Sequence, residues 1–312
     1  MPTAKNVGER IHRVMVTDFS LGNRTHQTAH AVVVTNPEFP LVPESNLIHS
    51  IRLLKGMEVP ELLEEAEPRL QAAGTPWRHL LEDPSTVPDD LGDLLAARGY
   101  EAQARIGIVH TSAPEVAKEP EVDVRAIAGK SGWTLLGEVR RNMLAAEGRA
   151  GEELEQYAAL TRRRSVSSNV RFYLAMVDFE PVGHVGLLSL GRTGMLVDLA
   201  VRPDLRGSGY GRAIIRKMVA QSRAVGHDLT CAVHDDRPGL ARLAARMGFE
   251  PAVRFVSHMA GGSRKPRPGK GKSEAADADK ASGEPEGAAR AKRSASPKSR
   301  EWPAPAFRIT MT

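Results

Sequence analysis

Apolar positions in this chain recur at two periods, one near two residues and one near 3.6, and their succession outlines the elements of the second half. Residues 122–128 alternate and predict a strand. Residues 132–146 place Trp133, Leu136, Met143 and Leu144 on one helical face, with Ser131 as the N-cap. A second helix is predicted over 152–164. Strands over 171–177, 182–190 and 195–201 follow, separated by turns at 179–181 and 191–194. A helix running to about Val225, a strand at 229–233, a helix ended by Gly248 and a returning strand complete the order.

The first half repeats part of this pattern. Residues 91–105 lie over 240–254 at a constant offset of 149, and at the same offset 46–52 fall on 195–201. Two matches at one offset predict an internal duplication. Both copies read as a helix closed by a glycine, Gly99 or Gly248, then an aromatic residue, Tyr100 or Phe249, and a strand. The copies differ after the matched strand. The second has a glycine-rich segment, whereas the first has Lys55-Gly56-Met57-Glu58-Val59-Pro60, whose single glycine, acidic residue and proline make a poor cradle for an anion.

Composition divides the chain further. Of 43 Lys/Arg and 38 Asp/Glu, residues 261–312 hold 12 and 6, so the remainder carries 31 against 32 and is nearly neutral. The basic balance belongs to a Gly/Pro/Ser/Ala/Lys-rich tail without periodicity, which cannot bury enough apolar surface to order itself. That tail is expected to be disordered and to touch nucleic acid at most weakly, through clusters such as Arg264-Lys265 and Lys292-Arg293. Its end, 302–309, is less polar and is a candidate for docking. No apolar run reaches membrane-spanning length, and residues 1–16 lack the apolar core of a secretory signal, so no membrane partner and a cytoplasmic location are expected. The one cysteine, Cys231, lies in an apolar run, which excludes an internal disulfide and a cysteine metal cluster; no metal is expected. The organisation expected is α+β, in tandem: a module at 1–113, a Pro- and Glu-containing connector at 114–121, a second module at 122–260, and the tail at 261–312.

The glycine-rich segment carries the chemistry. Gly207, Gly209 and Gly211 stand between an apolar strand and a helix, where missing Cβ atoms and unpartnered first-turn amides favour a phosphate. A nucleotide P-loop needs Gly-Lys, which is absent, and the dinucleotide fingerprint needs two residues between its last glycines, where this chain has one. Arg206, Gly209 and Gly211 fit the pattern Arg/Gln-x-x-Gly-x-Gly/Ala. With the Leu199-Ala200-Val201 strand and Arg202-Pro203-Asp204 before it, and Arg246-Met247-Gly248-Phe249 after it, residues 122–259 resemble the GNAT N-acetyltransferase superfamily.

The resemblance implies two GNAT-like modules, each a mixed, mostly antiparallel sheet flanked by helices, the first without a coenzyme loop. It implies acetyl-CoA as cosubstrate. Leu199, Ala200 and Val201 would lie along the pantetheine arm, and Arg206, Gly207, Ser208, Gly209, Tyr210, Gly211 and Arg212 would hold the pyrophosphate. The implied activity is acetyl transfer to an amine, of a small molecule or protein, by direct attack in a ternary complex; the alternative is a module that binds coenzyme A without turnover. An amine must lose a proton before it attacks. Asp198, on the strand before the loop and opposite in face to Val197 and Leu199, and His234, at the end of the following strand beside Asp235 and Asp236, are the candidate bases. His184 reads as a core histidine, and Arg162-Arg163-Arg164 as a solvated helix face. One departure stands out. Where many members have a tyrosine that protonates the leaving thiolate, this chain has Ala244, and where an asparagine is common it has Arg237.

Overall fold

Strands of Val, Leu and Ile with few charges need a partner on each edge, and in the computed structural model they find it in one another. The structure describes residues 4–53, 58–113 and 118–261. Residues 262–312, and with them nearly all of the tail, lie outside the described residues, as do Lys55, Gly56 and Met57. The described elements run α1 (Ala4–Ser20), β1 (Arg24–Gln27), β2 (Val32–Thr35), β3 (Leu47–His49), α2 (Val59–Ala72), β4 (Trp77–Glu82), α3 (Leu91–Ala96), β5 (Glu101–His110), β6 (Asp123–Ala126), α4 (Gly129–Ala146), α5 (Gly151–Arg164), β7 (Val170–Val177), β8 (Glu180–Leu190), β9 (Thr193–Val201), α6 (Tyr210–Ala224), β10 (Leu229–Asp235), α7 (Pro238–Arg246) and β11 (Phe249–Gly261). The predicted order of the second half is present in full. Its first helix starts earlier than expected: Gly129 follows an extended Ala128 with no side-chain cap, so Ser131 sits inside the first turn.

All described strands join one sheet, in the order β1-β2-β3-β4-β11-β5-β10-β9-β8-β7-β6. The middle of this order is an exchange. β11, the last strand of the second half, lies between β4 and β5 of the first, while β5 lies between β11 and β10. Both contacts are long antiparallel ladders, with Phe255 opposite Arg105 and His258 opposite Leu80. Each half therefore completes its sheet with a strand of the other, and the described residues form one compact unit.

Helices cover both faces. On one, Ile11, Val14, Met15 and Phe19 of α1 join Leu136, Val139 and Met143 of α4 over Phe172, Met195, Val197, Cys231 and Phe255. On the other, Ile214, Ile215 and Met218 of α6 cover Val185, Leu187, Leu196, Leu199 and Ala232. In the first half Leu62, Leu91 and Leu95 of α2 and α3 cover Ile48 and Leu80. Each such side chain contributes about 1.5–3 kcal/mol through removal from water, so α1, which crosses from one half to the other, welds them. Cys231 is buried as expected, and burial pushes its thiol up to about 12.

Three of the buried histidines are shifted strongly by this packing. Burial lowers His49 and His79 to about 4 and His184 to about 3. His79 spans the exchanged strands, with Ser257 Oγ at 3.2 Å and the Pro43 carbonyl at 3.2 Å. Because the unfolded chain binds protons to these rings near pH 6.5 and the folded chain does not, their stabilising effect is complete above about pH 6.5 and is lost as the pH falls toward 4. Urea midpoints measured from pH 7 to pH 4 are expected to fall steadily, and His79→Gln is expected to flatten that slope.

Candidate functional site

The site begins where two parallel strands part. β9 and β10 are paired from Thr193 opposite Leu229 to Leu196 opposite Ala232, and no further. Just past that last pair, the β8–β9 register shifts, so that Asp198 and Leu199 together face the single residue Val185. This is a β-bulge, and in it Asp198 takes a left-handed backbone, with φ of 51°. The extra residue overturns the expected alternation. Val197 packs under α1 and α4, whereas Leu199 packs under α6, so the two lie on opposite faces. Beyond the bulge, Arg202 donates to the Val182 carbonyl and Ala200 stands opposite His184. Alternation along an antiparallel ladder then turns the backbone groups of Leu199 and Val201 away from β8 and into the gap.

The glycine loop closes the end of that gap. After a tight 3-10 turn over Pro203–Leu205, Gly207 and Gly209 adopt left-handed φ of 84° and 89°, and α6 starts at Tyr210. Gly209 is the N-cap and brings no capping side chain, and the first intrahelical bond runs from the Ala213 amide to the Gly209 carbonyl. The amides of the turn before Ala213 thus lack helical partners, as an anion site needs. No atom lies within 4 Å of where a Gly207 Cβ would stand. Arg206 flanks the loop, donating to the Val201 carbonyl at 3.2 Å, with Glu147 3.5 Å away. The segment predicted to hold the pyrophosphate is thus formed as an open, left-handed, uncapped helix start.

A narrow cleft of about 10 Å³ continues from the gap, between α6, α7 and the sheet. Its wall is almost wholly apolar, with Leu196, Ile215, Ala232, Leu243 and Phe249 among its residues. His234 also lines it and is the one lining residue whose side chain carries a nitrogen or oxygen. The ring lies 2.6 Å, through Nδ1, from the Asp235 carbonyl. A carbonyl can only accept, so Nδ1 carries the proton and Nε2 of the neutral ring is the acceptor. Ala244 lines the same cavity, where the resemblance places a tyrosine. Arg237 caps α7, with its guanidinium 3.6 Å from Asp235.

The other candidate base lies on the opposite face. Asp198 is fully enclosed: Oδ2 accepts from Arg164 Nη1 at 2.8 Å and is 3.5 Å from Arg140. Arg164 in turn bonds Asp18 of α1. Burial alone would raise the Asp198 carboxyl, but Arg140 and Arg164 outweigh it and hold it below the usual range. Arg164, read from the sequence as part of a solvated face, is 4% exposed, whereas Arg162 stacks over Trp133 at 5.2 Å. His184 joins this cluster as a neutral core residue. The roles of Arg140, Arg164 and Asp18 were not legible in the sequence; a carboxylate one step before a strand irregularity gives no sign of it.

The first half repeats the geometry with its gap closed. β3 and β4 pair only at Ile48 opposite Leu80, and Ser50 then has φ of 54°. The bulge residues Ser50 and Asp198 are 148 positions apart, one fewer than the offset read from the sequence. Here, however, Val87 fills the gap as a surrogate strand, donating to the Ile51 carbonyl at 3.2 Å and accepting from the Leu53 amide at 2.9 Å. The start of α2 is occupied as well, since Glu58 caps it and Glu61 returns to the Glu58 amide at 2.9 Å.

The sheet is thus split between β9 and β10, with an uncapped, glycine-opened helix start at the mouth of the split. Residues 140–249 match the model of the acetyltransferase (GNAT) family. A stretch of 83 residues is 36% identical to the mycothiol acetyltransferase of Nocardia farcinica, a match that spans about a quarter of each chain, 26% of both. Among solved structures, a GCN5-related N-acetyltransferase from Kribbella flavida superposes with a TM-score of 0.59 at 16% identity, covering 82% of this chain and 96% of that one. Another from Sphaerobacter thermophilus gives 0.53 at 17%, covering 74% and 80%. At such identity the likeness is one of fold, and it extends over both halves. Among the described residues, no helix is long and apolar enough to cross a membrane.

A side chain at Gly209 would need a left-handed backbone and would approach Pro120 Cδ to 3.0 Å. Gly209→Val is expected to weaken coenzyme A binding in calorimetry at least about thirtyfold, in keeping with roughly 1–3 kcal/mol of backbone strain plus lost access. Leu205→Ile is expected to leave it unchanged.

Proposed function

We propose that this chain transfers an acetyl group from acetyl-CoA to the amine of a small molecule or protein, within a ternary complex at the gap between β9 and β10. The observation that carries this reading is the conjunction of that gap with the left-handed glycine loop at its mouth. The arm runs along Leu199, Ala200 and Val201, where the backbone groups of Leu199 and Val201 turn into the gap, the Val201 carbonyl accepting from Arg206 in the free protein, and the segment from Arg206 through Gly207, Ser208, Gly209, Tyr210 and Gly211 to Arg212 receives the diphosphate. When bound, the coenzyme supplies a thioester whose C–S bond breaks as the amine nitrogen bonds the carbonyl carbon. His234 Nε2 takes the proton the amine gives up, its tautomer fixed by the Asp235 carbonyl. Asp198 is structural in this reading, because a carboxylate already paired with two buried arginines is a poor acceptor for another proton.

The first half is then a degenerate module that binds no coenzyme, its gap taken by Val87 and its helix start by Glu58. The division into modules at 1–113 and 122–260 is one of ancestry in this reading, since the strands are exchanged. The match to a mycothiol acetyltransferase favours a small, polar amine as acceptor. A second reading, coenzyme binding without turnover, is favoured by Ala244, which leaves the cavity without a tyrosine acid.

Thiol release from acetyl-CoA, followed with and without a panel of amines, separates the two. The expected result is amine-dependent release that His234→Gln lowers about a hundredfold, a typical contribution of a general base, with coenzyme affinity unchanged. Release independent of every amine would favour the second reading. Calorimetry is expected to give one coenzyme per chain; two would contradict the closed first half.

A further inference from the structure

The ion cluster behind the bulge joins residues that are far apart in sequence. Asp198 and its left-handed φ belong to β9, Arg164 ends α5, Arg140 belongs to α4, and Asp18 comes from the last turn of α1 in the first half. All four side chains are nearly or wholly enclosed, with 0–5% exposure. A non-glycine residue with positive φ persists only where its surroundings hold it. The hold here is the side chain itself: Arg164 grips the Asp198 carboxylate with one nitrogen and Asp18 with another. Turning Asp198 back to an extended conformation would pull its carboxylate from Arg164 and restore plain alternation along β9. The Leu199 amide would then swing from the gap toward β8.

We infer that Asp18 is a positioning residue for transfer, through which the first half holds the bulge of the second in its productive form. This rests on the proposed acetyl transfer at the gap. Alternation past the bulge turns the Leu199 N–H into the gap, where the proposed transfer takes place, and a donor fixed in advance beside a reacting carbonyl favours the transition state over the ground state. Asp18 touches neither coenzyme nor acceptor. It acts through Arg164, whose two carboxylate partners fix its fork from either side. This gives the degenerate half a role other than ancestry: its first helix locks the geometry of a site it does not line. Ser50, at the matching bulge of the first half, has no carboxylate to be held, and there the gap is already filled.

The test uses the full chain with Asp18→Asn, and with Asp18→Glu as a variant that retains the charge. Coenzyme affinity, kcat, KM and amide hydrogen exchange of peptides across 196–202 and across 213–222 are measured on each. For Asp18→Asn the expected outcome is a kcat about tenfold lower, coenzyme affinity within twofold of the parent, and severalfold faster exchange at 196–202 with 213–222 unchanged. Asp18→Glu is expected to recover part of both kcat and protection. If Asp18→Asn does not fold, Asp18→Glu alone decides, with lowered kcat and faster exchange at 196–202 expected. A variant that melts earlier yet retains the parent kcat and the parent exchange at 196–202 would overturn the inference and leave Asp18 as a purely stabilising residue. If the parent transfers to no amine, the proposed function fails by itself, and exchange at 196–202 still decides whether Asp18 holds the bulge.

Discussion

One residue too many in β9 sets the rest of this structure. The extra residue at Asp198 breaks the ladder with β8, turns the strand, and ends its pairing with β10, which opens the gap that a ligand needs. Had β9 stayed regular, the sheet would have closed over the same stretch, and the glycine loop would face a continuous surface. The cost of the left-handed residue and of burying four charges is met by mutual pairing, and removing one partner from such a set typically costs about 3–5 kcal/mol because it strands a charge.

The two halves show how one geometry gives two outcomes. Each has a parallel pair that parts after a single rung or a few, and each has a bulge residue with φ near 50°. In the first half the backbone groups past the bulge are bonded by Val87, and the helix start is capped by glutamate. In the second no strand takes their place among the described residues, the Val201 carbonyl accepts from the Arg206 side chain, and the helix start is a bare glycine turn. Unsatisfied backbone in a cleft is costly unless something completes it, and among the described residues a backbone segment fills only the first of the two clefts.

The exchange of β5 and β11 has a physical consequence for the site. The strand that bears His234 is paired with β5, a strand of the first half, through Ile106. On one side of the gap β10 is anchored through β5 into the middle of the sheet, and on the other β9 is anchored along β8. Rigidity on one side and a held bulge on the other suit a site that must present backbone at fixed positions.

Much of this was legible in the residues. Periodicity gave the order of helices and strands in the second half, the spaced glycines marked the turn that opens α6, and the repeat at a near-constant offset pointed to the tandem organisation, because each depends on local backbone preference. Which candidate base enters the cavity was not legible. A single bulge moves Asp198 and Val197 to one face and Leu199 to the other, and no local pattern announces it. Nor did the run Arg162-Arg163-Arg164 show that its last member is buried, since only the approach of α1, some 146 residues earlier, supplies the carboxylate that makes such burial possible. The sequence by itself determined the elements and the loop, which are short-range matters of dihedral preference and apolar spacing. Tertiary structure alone decided the strand exchange, the ion cluster and the closed first cleft, because each depends on residues that meet only once the sheet is assembled.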